Sequence, residues 1–220
     1  ENTTSDRQLI IHEVMGRHCG WLTAATALEY RKRLEKKSFI HEIDIIKEKW
    51  DIHSILIPEE EIDFERECDR LSVIMDKYDS VNVFLSEGAG METIVNETEK
   101  TGGKVLRDAY GHVRLDDLNP GEWFAKKFGE KLKANKILVQ KSGYFSRSSK
   151  ANKKDLDLIF KVSDLAFESA INGISGVVGH DEDNNNNLDC IDFSRIKGGK
   201  TFNTKQDWYI QMIKEIHKIK

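Results

Sequence analysis

Leu9-Ile-Ile-His-Glu-Val-Met15-Gly16-Arg17-His18-Cys19-Gly20-Trp-Leu-Thr-Ala-Ala-Thr-Ala-Leu28 divides into two halves of opposite character. Leu9 to Val14 is apolar and β-branched, the pattern of a strand covered on both faces. From Trp21 the chain is rich in Ala and Leu, which favour helix. Between the halves lie two glycines, an arginine and a histidine. A strand that turns through glycine into a helix aims the free N–H groups of the first helical turn above the sheet edge, where they suit an anion. Arg17 adds a planar, bidentate donor matched to a phosphate. A helix start with a surface arginine is the alternative. Spacing alone leaves both open, because such junctions occur throughout α/β proteins.

The alternation continues down the chain. The helix from Ala24 runs to a basic end at Lys37, where cations complement the helix dipole. The charged connection 38–51 reads as a helical insertion. Ile52 to Ile57 reads as a buried strand stopped by Pro58. Phe64 to Tyr78 reads as a helix with Phe64, Cys68, Leu71 and Met75 at helical spacing, and Val81 to Leu85 as the next strand. Lys104 to Asp108 reads as a further short strand. Asn119 followed by Pro120 starts a helix to about Lys133, and the strand Ile137 to Gln140 leads into Gly143. Asp155 to Ile171 is a helix that keeps Leu156, Phe160, Phe167 and Ile171 on one apolar face, closed by Asn172-Gly173. Val177 to Gly179 and Cys190 to Phe193 read as strands joined by Asp181-Glu-Asp-Asn-Asn-Asn-Asn187. Asp207 to Ile219 is a last amphipathic helix. Strand–helix alternation without internal repeats predicts an α/β fold, a three-layer sandwich around a largely parallel sheet.

At 220 residues, 39% hydrophobic and 33% charged, the chain is long enough for a proper core. A net charge of −4 gives no argument for nucleic acid or an anionic membrane as a partner. No apolar run approaches the ~20 residues that span a bilayer. Three cysteines without CxxC spacing point to reduced thiols and a cytoplasmic location. The histidines show no zinc spacing. The run Asp181–Asn187 lacks the alternating ligands, central glycine and closing glutamate of a calcium loop, and reads as a hairpin loop. Asn2-Thr-Thr and Asn96-Glu-Thr match the glycosylation pattern, which means little without a secretory signal.

Six stretches carry a resemblance. Glu13-Val-Met-Gly-Arg-His-Cys-Gly20, Leu56-Ile-Pro-Glu59, Ser86-Glu-Gly-Ala89, Asp108-Ala-Tyr-Gly-His112, Gly143-Tyr-Phe-Ser-Arg147-Ser and Lys197-Gly-Gly-Lys200 resemble, in order and spacing, motifs of the phosphofructokinases. The Gly-Tyr-Phe-x-Arg-Ser and Lys-Gly-Gly-Lys stretches are most similar to the pyrophosphate-dependent branch. The resemblance implies a phosphofructokinase-like fold and a site for fructose 6-phosphate. Met15, Gly16 and Arg17 would hold the sugar phosphate with Tyr144 and Arg147, and Glu59 would accept hydrogen bonds from sugar hydroxyls. On chemistry alone, Arg147 is equally a helix-start arginine paired with an acid. Glu59-Glu60-Glu61 is equally a solvated charge run. Glu87 has no role beyond holding its loop, and those of Arg7, Lys136 and Lys141 stay open.

Two family features are absent from the sequence, the Gly-Gly-Asp loop for the phosphoryl donor and magnesium, and the Thr-Ile-Asp segment with the aspartate base. The chain opens on Glu1, a few residues before a core strand. Residues 1–220 are therefore expected to form the fructose 6-phosphate-binding portion of a glycolytic phosphotransferase, without the donor-binding half. Pyrophosphate, or ATP, and Mg²⁺ would bind through that other half, in a homo-oligomer. The chain alone is expected to bind sugar phosphate without turnover, since phosphoryl transfer is positioning plus charge neutralisation by metal and cations. A non-catalytic sugar-phosphate-binding or regulatory subunit is the alternative.

Overall fold

The computed structural model describes residues 6–111, 113–196 and 198–219. His112 and Lys197, which belong to two of the six stretches, and Asn2 lie outside them. In chain order the elements are β1 (Gln8–Val14), α1 (Trp21–Leu34), α2 (Lys47–Trp50), β2 (Ser54–Leu56), α3 (Phe64–Tyr78), β3 (Ser80–Ser86), α4 (Met91–Lys100), α5 (Leu115–Leu118), α6 (Pro120–Leu132), β4 (Lys136–Lys141), α7 (Gly143–Ser148), α8 (Lys153–Ile171), β5 (Val177–Asp181), β6 (Asn187–Ile191) and α9 (Asp207–Ile216). They divide into two compact units, Glu1–Ser146 with Lys200–Lys220, and Arg147–Gly199.

The larger unit is built on a parallel sheet of order β2-β3-β1-β4. Period-two alternation assigns each strand's side chains to opposite layers. Leu9, Ile11, Val81, Val83, Leu85 and Leu56 pack with Cys68, Leu71, Met75, Phe124 and Phe128 from α3 and α6. Val14, Ile55, Ile57 and Phe84 face Ala24 and Ala27 of α1 and Tyr209, Met212 and Ile216 of α9. This is the expected three-layer sandwich. A fully buried side chain such as Phe128 stabilises it by about 1.5–3 kcal/mol.

α3 has the predicted bounds, with Asp63 accepting from Arg66 N at 3.2 Å as its cap. Two expectations fail for local reasons. No strand forms at 104–108. Asp108 accepts from Tyr110 N at 2.9 Å in an Asx turn, and only the single bridge between Arg107 and Val113 remains. The insertion at 38–51 is a 3₁₀ turn, His41–Ile43, and the four-residue α2, because Asp44 takes a left-handed φ of 59°.

Polar side chains join the layers of this unit behind the sheet. Arg31 of α1 grips Asp51 through two bonds of 2.8 and 3.1 Å and reaches Glu215 of α9 at 2.8 Å. His53 is fully buried; its Nδ1 accepts from Asn82 N and its Nε2 donates to Glu48 O, each at 2.9 Å.

In the smaller unit, α8 begins with a capping box between Asn152 and Asp155 and is followed by Gly173 at φ +67°. β5 and β6 form an antiparallel hairpin; β5 starts at the predicted Val177 and runs on to Asp181, whereas β6 begins before its predicted start, at Asn187. Asp181 ends β5 almost fully buried, held by both ends of the Arg195 fork at 2.8 and 2.7 Å. That hydrogen-bonded guanidinium keeps the Asp181 carboxyl below its ordinary range. The acidic run is thus tied down by a cation of its own unit. Among the described residues no helix is long and apolar enough to cross a membrane.

Candidate functional site

Parallel strands end level, so their C-terminal ends bring separate loops to one sheet edge. Val14 pairs with Ser86, and Glu13 with Lys141. Met15-Gly16-Arg17 therefore lies between Ser86-Glu87-Gly88 on one side and Ser142-Gly143-Tyr144 on the other. Glu59 follows β2 at the same edge.

The loops meet through side-chain and backbone hydrogen bonds. Ser86 Oγ donates to Gly16 O at 2.6 Å, Gly16 N donates to Glu87 Oε1 at 3.2 Å, and Glu87 N donates to Val14 O at 3.0 Å. A Cβ on Gly16 would lie 2.4 Å from Cys19 O, and one on Gly88 would lie 1.8 Å from Arg17 O. Glycine is required at both positions by close approach. A Cβ on Gly143 would sit 3.5 Å from Met15 Cγ, which places Met15 beside the β4 loop.

Two helix N-termini at this edge, those of α1 and α6, are already occupied by protein carboxylates. Glu59 accepts from Gly20 N, the N-cap of α1, at 3.0 Å to each oxygen, and its Oε1 also accepts from Phe202 N at 2.7 Å. Glu13 is buried and accepts from Gly121 N in the first turn of α6 at 2.7 Å. Burial raises the Glu13 pKa and neighbouring Glu87 adds to this, while Lys141, 3.7 Å away, and the Gly121 amide oppose it. The anion expected at the strand–Gly–helix junction is thus supplied from within, by Glu59. Replacing Glu59 with Gln removes a charge from the α1 N-terminus and one of two acceptors. The expected loss is about 1–2 kcal/mol, read as a lowered urea midpoint.

Arg17 is different. It is half-buried, and its guanidinium has no hydrogen-bond or ion-pair partner among the described residues. Glu87, also half-buried, commits one oxygen to Gly16 N. Tyr144 is 85% exposed in the first turn of α7. Arg147 is exposed and opens the smaller unit. Lys141 caps the edge beside Glu13, whereas Lys136 starts β4 at the opposite edge. Arg7 lies at that opposite edge too, donating to Lys133 O at 3.0 Å and Leu132 O at 2.5 Å and pairing with Asp76 at 2.7 Å. It closes the C-terminus of α6.

Sequence reasoning passed over Glu13 and gave Glu87 no role beyond holding its loop. The available signal was a charged residue ending an otherwise apolar strand, at Glu13 in β1 and just past Ser86 in β3. The edge offers an uncommitted guanidinium, a carboxylate with an acceptor to spare and the apolar Met15, a set suited to a phosphorylated polyol.

No family model matches the chain. The pyrophosphate–fructose 6-phosphate 1-phosphotransferase of Methylomonas methanica is 53% identical over 216 residues, covering 98% of this chain and 53% of that protein. The protein of the same name from Mastigamoeba balamuthi is 48% identical over 98% of this chain and 53% of its own length. The chain spans about half the length of the curated relatives it matches. Solved pyrophosphate-dependent phosphofructokinases from Nitrosospira multiformis and Marinobacter aquaeolei share the fold. Each has a TM-score of 0.57, at 18% and 19% identity, over 98% of this chain and 49% of theirs. In sequence along nearly its whole length, and in fold, the chain belongs to the phosphofructokinase family, alongside its pyrophosphate-dependent members.

Proposed function

We propose that this chain supplies the fructose 6-phosphate side of a phosphotransferase that uses pyrophosphate, with the phosphate on Arg17 and the sugar against Met15 and Gly16. The observation that carries this reading is the Arg17 guanidinium, uncommitted and half-buried among loops that are hydrogen-bonded to one another. Tyr144, in the first turn of α7, adds a phosphate contact within the larger unit. Glu87 takes the hydroxyl-accepting role that the family resemblance gives to Glu59, because both oxygens of Glu59 already accept from backbone amides. Pyrophosphate, or ATP in its place, belongs in this reading to the part of the relatives that the chain does not span. Among the described residues no group of three His, Cys, Asp or Glu could hold a metal.

Arg17→Lys keeps the charge and loses the fork. Calorimetric titration of the chain with fructose 6-phosphate is expected to show affinity about tenfold weaker; an unchanged affinity removes Arg17 from the site. Glu87→Gln is expected to weaken fructose 6-phosphate while leaving inorganic phosphate, which has no sugar hydroxyls, as it was. Equal effects on both ligands would show that Glu87 only holds the loop.

A further inference from the structure

β3 reads Ser80-Val-Asn-Val-Phe-Leu-Ser86, and all seven residues are buried. Alternation sends Val81, Val83 and Leu85 into the layer of α3 and α6, and Ser80, Asn82, Phe84 and Ser86 into the layer of α1 and α9. Most polar side chains on that second face have partners. Ser86 Oγ donates to Gly16 O at 2.6 Å, and the Asn82 amide donates to Asp51 O at 2.9 Å. Ser80, at the head of the strand, differs. Its register partner on β1 is Gln8, which shares a face with Val14 and so looks into the same layer. Both residues are 0% exposed. Gln8 Oε1, Gln8 Nε2 and Ser80 Oγ are all without a hydrogen-bond partner among the described residues.

Buried polar atoms are hydrogen-bonded in nearly all folded proteins, and a dry amide among apolar side chains is costly. Gln8 cannot swing out to solvent. Its N–H donates to Asp79 O at 2.8 Å, β3 and β4 flank it on both sides, and Arg7 before it is tied to the end of α6. A direct bond between the two side chains would not be enough either. The Ser80 hydroxyl could meet one atom of the amide and would leave the other bare. Neither group is charged, so the pair calls for a small neutral ligand that donates and accepts. An internal water makes about three hydrogen bonds, and three atoms here lack one. We propose that Gln8 and Ser80 form a buried hydration site at the head of β1. Water accepts from Gln8 Nε2 and donates to Ser80 Oγ, and Gln8 Oε1 takes a donor of the same kind. The site lies at the end of the sheet opposite Met15-Gly16-Arg17, and it is independent of the sugar-phosphate assignment.

Oxygen-17 relaxation dispersion of water tests it, because that nucleus reports water held inside a protein and is blind to exchanging hydroxyl and amide protons. Gln8→Met combined with Ser80→Ala keeps the volume close and removes all three unpaired atoms, and an apolar cavity stays dry. The 220-residue chain is expected to lose the dispersion amplitude of at least one long-lived water in this double variant. A second measurement uses the unmodified chain and stands even if the double variant does not fold. Gln8 is the buried one of the four glutamines, so under ¹⁵N-glutamine labelling its side-chain amide is the slowly exchanging one. That amide is expected to show an NOE to water with the sign of a molecule that tumbles with the protein. Three results would overturn the proposal. One is an oxygen-17 amplitude that the double variant leaves unchanged. Another is the absence of a water NOE at the Gln8 amide. The last is a urea midpoint that rises in Gln8→Met, as it would on removal of a dry, unpaired amide.

Discussion

Gly88→Ala is expected to lower stability by about 3 kcal/mol and to cut fructose 6-phosphate affinity at least 100-fold. The added Cβ would lie 1.8 Å from the Arg17 carbonyl oxygen, 2.6 Å from its carbonyl carbon and 2.9 Å from its Cα. All three are backbone atoms, so no change of rotamer relieves the clash. The loop cannot retreat cheaply either, because Glu87 N is bonded to Val14 O and Ala89 N to Ser86 O. Arg17 has to move, and the guanidinium leaves the strand ends with it. Gly179→Ala is the control: a Cβ there meets nothing within 4 Å, and a change under about 0.5 kcal/mol is expected. Urea midpoints and calorimetry on both variants decide the matter. A Gly88→Ala protein with native stability and affinity would show that the two loops do not touch as described.

Acid is expected to unfold the chain partly through His53. Burial pushes this imidazole from its ordinary 6.5 down to about 4, with Arg70 acting in the same direction and the Glu48 carbonyl and Asp51 against it. Between those pH values the unfolded chain holds a proton that the folded chain lacks, so stability rises with pH across the window. The contribution is complete above about pH 6.5 and is lost as pH falls towards 4, a difference of about 3 kcal/mol. His12, lowered by burial, acts in the same sense, and Glu13, raised, in the opposite one. The measurement is therefore the pH 7 to pH 4.5 change in the urea midpoint of the native chain minus that of His53→Gln. Equal changes in the two proteins would place the acid sensitivity elsewhere.

The sheet was legible because its signals are local. An apolar run, a glycine turn and a helical period each lie within a few residues, and α3 followed from Phe64, Cys68, Leu71 and Met75 alone. Carboxylate partners are not local. Glu59 meets Phe202 across 143 residues and Glu13 meets Gly121 across 108, so no spacing rule could assign them, and the charge run at Glu59–Glu61 hid a half-buried clamp. The apolar face of α8 was found by its period, which says that a helix has such a face and not what covers it.

The bond from Phe202 N to Glu59 also bears on synthesis. Residues 200–219 return to the larger unit after the 147–199 excursion, and α9 supplies Tyr209, Met212 and Ile216 to one side of the sheet. While the ribosome makes the excursion, Ile55, Ile57 and Phe84 lack that cover and Glu59 lacks one of its donors. At about 5–20 residues per second the nascent sheet waits for seconds with a greasy flank open. Chaperone capture during translation should therefore concentrate on chains that end before Asp207.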